Sequence, residues 1–162
     1  MPFPLPSSDW KYKVSTPTPT NYTINLPSTQ TLLEVRERGY IISVGLILSG
    51  SLDCQNFVIR VIEGILGDPL SEPVSTVTPY SLNSAGRVGF DNMPTVTRYD
   101  TTNKVFSIQW DPKYPIPFRG FVLSITAPPP TLDTATSATV SLAYLFAIES
   151  EATVRIAEAV RR

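Results

Sequence analysis

The carboxylates Asp53, Glu63, Asp68, Glu72, Asp91, Asp100, Asp111 and Asp133 lie mostly where apolar runs stop. Two carboxylates held about 5 to 9 Å apart could cleave a glycosidic bond, one as acid and the other as base or nucleophile. Nothing in their spacing pairs any two of them, and an aspartate at a strand end is first a turn residue. The sequence contains no histidine. That removes the usual general base near neutral pH and the commonest metal ligand, and with them Ser-His-Asp triads, Cys-His dyads and most zinc sites. Cys54 is the single cysteine, so no intrachain disulfide forms. No neighbour argues for an activated thiol, and Cys54 reads as a small semi-buried residue. No calcium loop of alternating Asp and Asn with a closing Glu occurs.

Gly64-Ile-Leu-Gly67 and Gly86-Arg-Val-Gly89 lack the Lys-Ser/Thr ending and the strand-to-helix setting of a phosphate loop. Asn21-Tyr22-Thr23 fits the glycosylation pattern, which without a secretion signal is a chance match. The expectation is a non-enzymatic protein with no catalytic, metal or cofactor residues. The residues most suited to contact are apolar and aromatic. Trp110, Tyr114 and Phe118 flank a proline-rich loop, Asp111 to Pro117, and Trp10 lies near the N-terminus. Rings there could close an open end of the fold, anchor a protein partner, or stack on a sugar.

The elements that would position these rings are short apolar runs separated by Pro, Ser, Thr and Gly. Tyr40–Ser49, Phe57–Ile62, Val105–Trp110, Phe121–Thr126 and Val140–Ile148 are the clearest, with further strands at Tyr22–Leu26 and Thr31–Arg36. In Tyr40–Ser49, strict alternation puts Tyr40, Ile42, Val44, Leu46 and Leu48 on one face. Neither face is charged, so this strand is central and covered on both sides, or one face meets another subunit. Thr95–Asp100 and Lys104–Trp110 read as a hairpin turning at Asp100-Thr101-Thr102-Asn103. From Gly64 to Pro94 the pattern loosens into a long connection with short strands near Ser81–Leu82 and Arg87–Phe90. The fold class is therefore all-β, an antiparallel β-sandwich over residues 20–148.

Two segments flank it. Residues 1–19 form a Pro-rich extended arm in which Phe3 and Leu5 alternate with prolines, and Trp10, Tyr12 and Val14 alternate with Lys11 and Lys13. The arm lies along its own sandwich or reaches a neighbouring subunit. Residues 149–162 lack Pro and Gly, and Thr153, Ile156, Ala157 and Val160 form one apolar stripe of an amphipathic helix. A helix that short must dock on the sandwich or on a partner. A final strand through Ala152, Val154 and Ile156 is the competing pattern.

The formal net charge is -1. A chain without excess base is a poor nucleic-acid binder, because that affinity comes from neutralising phosphates; Arg155, Arg161 and Arg162 form only a local cluster. Arg outnumbers Lys about two to one, which suits interfacial ion pairs. No apolar run is long enough to span a bilayer, and Met1 to Trp10 lacks the features of a signal peptide. A soluble product made in the cytoplasm is expected.

The Pro-rich segment Met1–Pro6, the strands Tyr40–Ser49 and Val140–Ile148, and the tail Glu149–Arg162 together give the chain a family likeness. It resembles structural β-sandwich proteins of virions of bacteriophages and archaeal viruses, of the capsid-associated or decoration type. The likeness is architectural and carries no diagnostic motif. It implies a jelly-roll-like sandwich, homo-oligomers with trimers favoured, extended arms that hold neighbours, and contact with other virion or capsid proteins. The candidate interaction residues are then Phe3, Leu5, Trp10, Trp110, Tyr114, Phe118, Ile156 and Val160. The alternative is a carbohydrate-binding or host-receptor-recognition module using Trp110 and Tyr114 on a glycan.

Overall fold

The computed structural model describes residues 10–14, 20–64, 72–85 and 94–149. Two strands dominate: β4 (Gly39–Ser49) and β11 (Ser137–Glu149), paired antiparallel along most of their length. Each is too long for any one neighbour, so short strands share its free edge. On β11, β2 (Thr20–Asn25) pairs with Ser137–Leu142 and β1 (Trp10–Val14) with Leu145–Glu149. On β4, β8 (Val105–Trp110) pairs with Val44–Ser49 and β9 (Ile116–Phe118) with Gly39–Ile41. The strand β7 (Thr95–Asp100) closes this first sheet beyond β8. The second sheet runs β3 (Ser28–Val35), β10 (Phe121–Ala127), β5 (Val58–Glu63), β6 (Glu72–Val77), again antiparallel.

One hydrophobic core lies between the sheets. The first contributes Val44, Leu46, Leu48, Phe106, Ile108, Val140, Leu142, Phe146 and Ile148; the second contributes Ile59, Val61, Phe121, Leu123 and Ile125. Period-two alternation puts these side chains on a common face. Fully burying each contributes on the order of 1.5–3 kcal/mol. At one end, Phe118, Phe121 and Phe146 meet edge-to-face, with centroids 4.8 to 6.2 Å apart, and Tyr144 stacks on Phe146 at 5.2 Å.

Strict alternation fails in β4. Leu145 pairs with Ser43 but Phe146 pairs with Ile41, so Ile42 is an extra residue, a bulge. Past the bulge the faces exchange. Ile41 is buried in the core, whereas Tyr40 and Ile42 are only half-buried. The expected face Tyr40, Ile42, Val44, Leu46, Leu48 therefore holds only from Val44 onward.

The long connection also departs from expectation. Ser81–Leu82 is not a strand but lies in α1 (Pro79–Ala85). Thr78 caps it: its hydroxyl accepts the Ser81 amide at 3.0 Å, while the Ser81 hydroxyl accepts the Thr78 amide at 3.0 Å. Pro79 then occupies the first helical position. Leu82 pins the helix to the core. Strand β6 was not anticipated, and β9 lies in what reads as a constrained loop. A 3-10 helix, Leu52–Asn56, links β4 to β5. The suggested strand Arg87–Phe90 lies outside the described residues, as do Phe3 and Leu5 of the arm and the expected helix from Ser150 onward. The hairpin turns where expected, because Asp100 accepts the Asn103 amide at 2.9 Å and its side-chain amide at 2.8 Å.

Candidate interaction surface

The two sheets present very different outer faces. On the second sheet, register places Glu34, Val122 and Ile62 in one row and Thr31, Ser124, Arg60 and Thr76 in the next. Glu34 and Arg60 are exposed, while Val122 and Ser124 on the central strand between them are buried.

On the first sheet the central strands carry no such charge. Outward rows run Thr139–Ser49–Val105, Ser141–Ile47–Ser107, Ala143–Gly45–Gln109 and Leu145–Ser43. Strand β4 has no charged residue, and the only one in β11 is Glu149. Ile47 is 47% exposed and Ala143 is also exposed. Gly45 and Ala143 lie directly opposite each other between the rows of Ile47 and Leu145, and the Gln109 side chain lies over Gly45.

The polar groups on this face bond to one another. The Gln109 side-chain amide donates to the Ser43 hydroxyl at 2.9 Å and to Asp111 Oδ1 at 3.0 Å, and the Ser43 hydroxyl donates to Asp111 Oδ1 at 2.5 Å. Ser141 Oγ donates to Asn21 Oδ1 at 2.6 Å, and the Thr97 and Ser107 hydroxyls lie 2.7 Å apart. Polar groups already paired within a face lose less on leaving water than unpaired ones. The strands β4 and β11 add no charge to the centre of this face, while Asp111 bonds Ser43 and Gln109 beside them and Arg98 and Asp100 of β7 end the rows of Ile47 and Ser49.

The end of the molecule at Gly50 is locked by buried carboxylate chemistry. Asp53, in the 3-10 helix, has no solvent exposure. Its Oδ1 accepts the Thr131 amide at 3.0 Å, the Leu132 amide at 3.0 Å and the Thr131 hydroxyl at 3.2 Å. Burial works against ionisation, but these donors outweigh it and hold the carboxyl below its ordinary 3.8. Asp133 accepts from Lys104 Nζ at 2.7 Å and from the Leu52 amide at 3.1 Å, and these contacts lower it to about 2. The cluster ties the 3-10 helix, the β7–β8 turn and the β10–β11 loop together. Among the described residues no group of three metal-ligating side chains forms. Cys54 is fully buried, and burial pushes its thiol up to about 12, which makes it inert.

The expected ring platform takes a different form. Trp110 is 3% exposed and Phe118 is 6% exposed. Both belong to the core, because β8 and β9 end with those residues on their inward faces. The idea of Trp110 as a stacking surface is therefore corrected: its ring packs the interior. Tyr114 alone of the three is exposed, with Lys113 Nζ 5.7 Å from its ring centroid. Trp10 falls in β1, opposite Glu149, and Tyr12 and Val14 lie opposite Ala147 and Leu145. Phe3, Leu5, Ile156 and Val160 lie outside the described residues. The open row around Ile47 was not singled out from sequence. Its signal was the uncharged outer pattern Ser43, Gly45, Ile47, Ser49, which fits a covered strand equally well.

No protein-family model matches this chain, and no curated protein matches it significantly. No helix among the described residues is long and apolar enough to cross a membrane.

Proposed function

We propose that this chain is a non-enzymatic structural subunit, a capsid-associated decoration or stabilising protein of a virion. On this reading it self-assembles through the outer face of the first sheet and through its terminal segments. The observation that carries the reading is that β4, and β11 as far as Ile148, carry no charged side chain, with Ile47 and Ala143 open to solvent. Closed rotational symmetry would use that one patch several times.

Strand order adds support for a jelly roll. One sheet contains β2-β11-β4-β8 and the other β3-β10-β5-β6. The chain crosses between sheets at β2–β3, β3–β4, β4–β5, β6–β7, β9–β10 and β10–β11, as two interleaved Greek keys require. Sixteen prolines restrict the unfolded chain and favour durability where the native backbone accommodates them. The glycan alternative keeps only Tyr114 of its two rings.

Light scattering on the full chain tests the proposal. A defined oligomer is expected, a trimer by preference. Ala143→Arg places a charge in the middle of the face and should weaken assembly at least about tenfold without changing the fold. A monomer at high protein concentration, or an oligomer indifferent to Ala143→Arg, overturns it.

A further inference from the structure

The edges of the two sheets are not equally protected. An edge strand offers a row of open N–H and C=O groups to any other chain, and charges, prolines, bulges or brevity blunt it. β1 carries Lys11 and Lys13. β9 has three residues with Pro117 in the middle. β7 has an extra residue at Thr97, followed by the ion pair of Arg98 and Asp100. β6 has Pro73 and an extra residue at Val74. β3 has an extra residue at Leu32, whose carbonyl already accepts the Tyr22 hydroxyl at 2.7 Å, and Glu34 nearby pairs with Arg36. β2 has none of these guards: Thr-Asn-Tyr-Thr-Ile-Asn holds no charge and no proline, and its register with β11 is unbroken.

We infer that β2 is a pairing edge and that its occupant is β2 of a second copy, joined antiparallel across a two-fold axis so that the first sheet runs on from one subunit into the next. The inference rests on the self-assembly proposed above and gives it a second contact. Charge names the occupant. β2 against itself opposes no like charges, whereas β1 against itself would set Lys11 opposite Lys13.

The existing ladder fixes the register. The Leu26 amide donates to the Thr136 carbonyl at 2.9 Å, so these two residues form a hydrogen-bonded pair. By alternation Ile24, Tyr22 and Thr20 also turn their backbone groups towards β11. Asn21, Thr23 and Asn25 then turn theirs to the outer edge, where the Ser28 hydroxyl reaches the Asn25 carbonyl at 2.6 Å. All three residues are exposed, and among the described strands only β11 pairs with β2. A two-fold axis at Thr23 sets Thr23 against its own copy and Asn21 against Asn25. That uses every outward residue and forms about six backbone hydrogen bonds. An axis at Tyr22 would leave Asn25 without a partner.

The test uses full-length single variants under mild oxidation. Native Cys54 is fully buried and stays silent. In a hydrogen-bonded antiparallel pair the Cα atoms lie about 5.5 Å apart, within reach of a disulfide, so Thr23→Cys is expected to give a covalent dimer. Asn21→Cys and Asn25→Cys, when mixed, should link at least about tenfold faster than either alone. Thr23→Lys and Thr23→Glu each oppose like charges across the axis and should weaken association by light scattering, and mixing the two should restore it. Equal linkage of Asn21→Cys alone and in the mixture, or no recovery on mixing Lys with Glu, overturns the pairing. A defined oligomer that yields no Thr23→Cys dimer overturns this edge contact and leaves self-assembly through the face standing. A monomer throughout overturns both. A dimer linked at Thr23→Cys that is indifferent to Ala143→Arg upholds the edge and overturns the face.

Discussion

Replacing Asp53 with alanine removes the acceptor that holds the β10–β11 loop to the 3-10 helix. The Thr131 and Leu132 amides, each 3.0 Å from Asp53 Oδ1, and the Thr131 hydroxyl at 3.2 Å all lose their partner. A donor left unsatisfied in a buried site costs about 1–3 kcal/mol. Two amides together then give roughly 4 kcal/mol, falling to about 2 kcal/mol if the loop relaxes enough to admit water. For a chain of this size each kcal/mol shifts Tm by about 2–4 °C, so a drop of roughly 8–16 °C is expected for the larger figure. Asp53→Asn keeps a carbonyl oxygen for the same donors and loses only the charge, so about 1–2 kcal/mol is expected. Urea denaturation followed by circular dichroism reads both, as a lower midpoint with an unchanged slope. If Asp53→Ala costs less than about 1 kcal/mol, or if Asn and Ala cost the same, the carboxylate does not hold this end of the fold.

Three further outcomes follow from the same geometry. The Asp53 carboxyl titrates below 3.8 in the folded protein, as do Asp100, held near 2 by the Asn103 amide and side chain, and Asp133, held near 2 chiefly by Lys104. Because the folded values are depressed, their stabilisation is complete above about pH 4 and is lost as pH falls towards about 2; urea midpoints should fall through that window, with a shallower fall in Asp53→Asn. A Cβ at Gly39 would collide with the backbone carbonyl of Ala147, which cannot move without breaking the β4–β11 ladder, whereas one at Gly45 would meet only the end of the Gln109 side chain, at 2.7 Å. Gly39→Ala should thus destabilise by more than about 3 kcal/mol and Gly45→Ala by less than about 1 kcal/mol, as read by thermal denaturation. Cys54, with no exposure and its thiol raised to about 12, should react with maleimide only when urea unfolds the chain; native-state labelling within minutes at pH 7 would show that the 3-10 helix opens.

Strand positions were legible where alternation was uninterrupted. Phe57, Ile59 and Val61 are buried as their spacing implies, and so are Phe121, Leu123 and Ile125. Alternation reports a local backbone period, which places these side chains inward, although Val122 and Ser124 on the opposite face of β10 are buried too. The helix at Pro79–Ala85 was missed although Thr78-Pro79 carried its start signal, because seven residues are too few to show a 3.6 period. The β4 bulge was not legible, since an extra residue is defined only against a partner strand, and that strand, β11, comes about a hundred positions later.

The candidate surface divides in the same way. Composition by itself determined that histidine chemistry and intrachain disulfides are excluded, because those depend on residue types that are absent or single. It also determined that β4 and β11 carry almost no charge. Only the tertiary structure decided that these two strands are neighbours, that Ile47 and Ala143 open to solvent on one face, and that Trp110 and Phe118 turn inward. Exposure belongs to the pairing of distant segments, so no local pattern can state it. Asp53 makes the same point: in sequence it is one turn aspartate among several, and its burial comes from a loop almost eighty residues away closing over it.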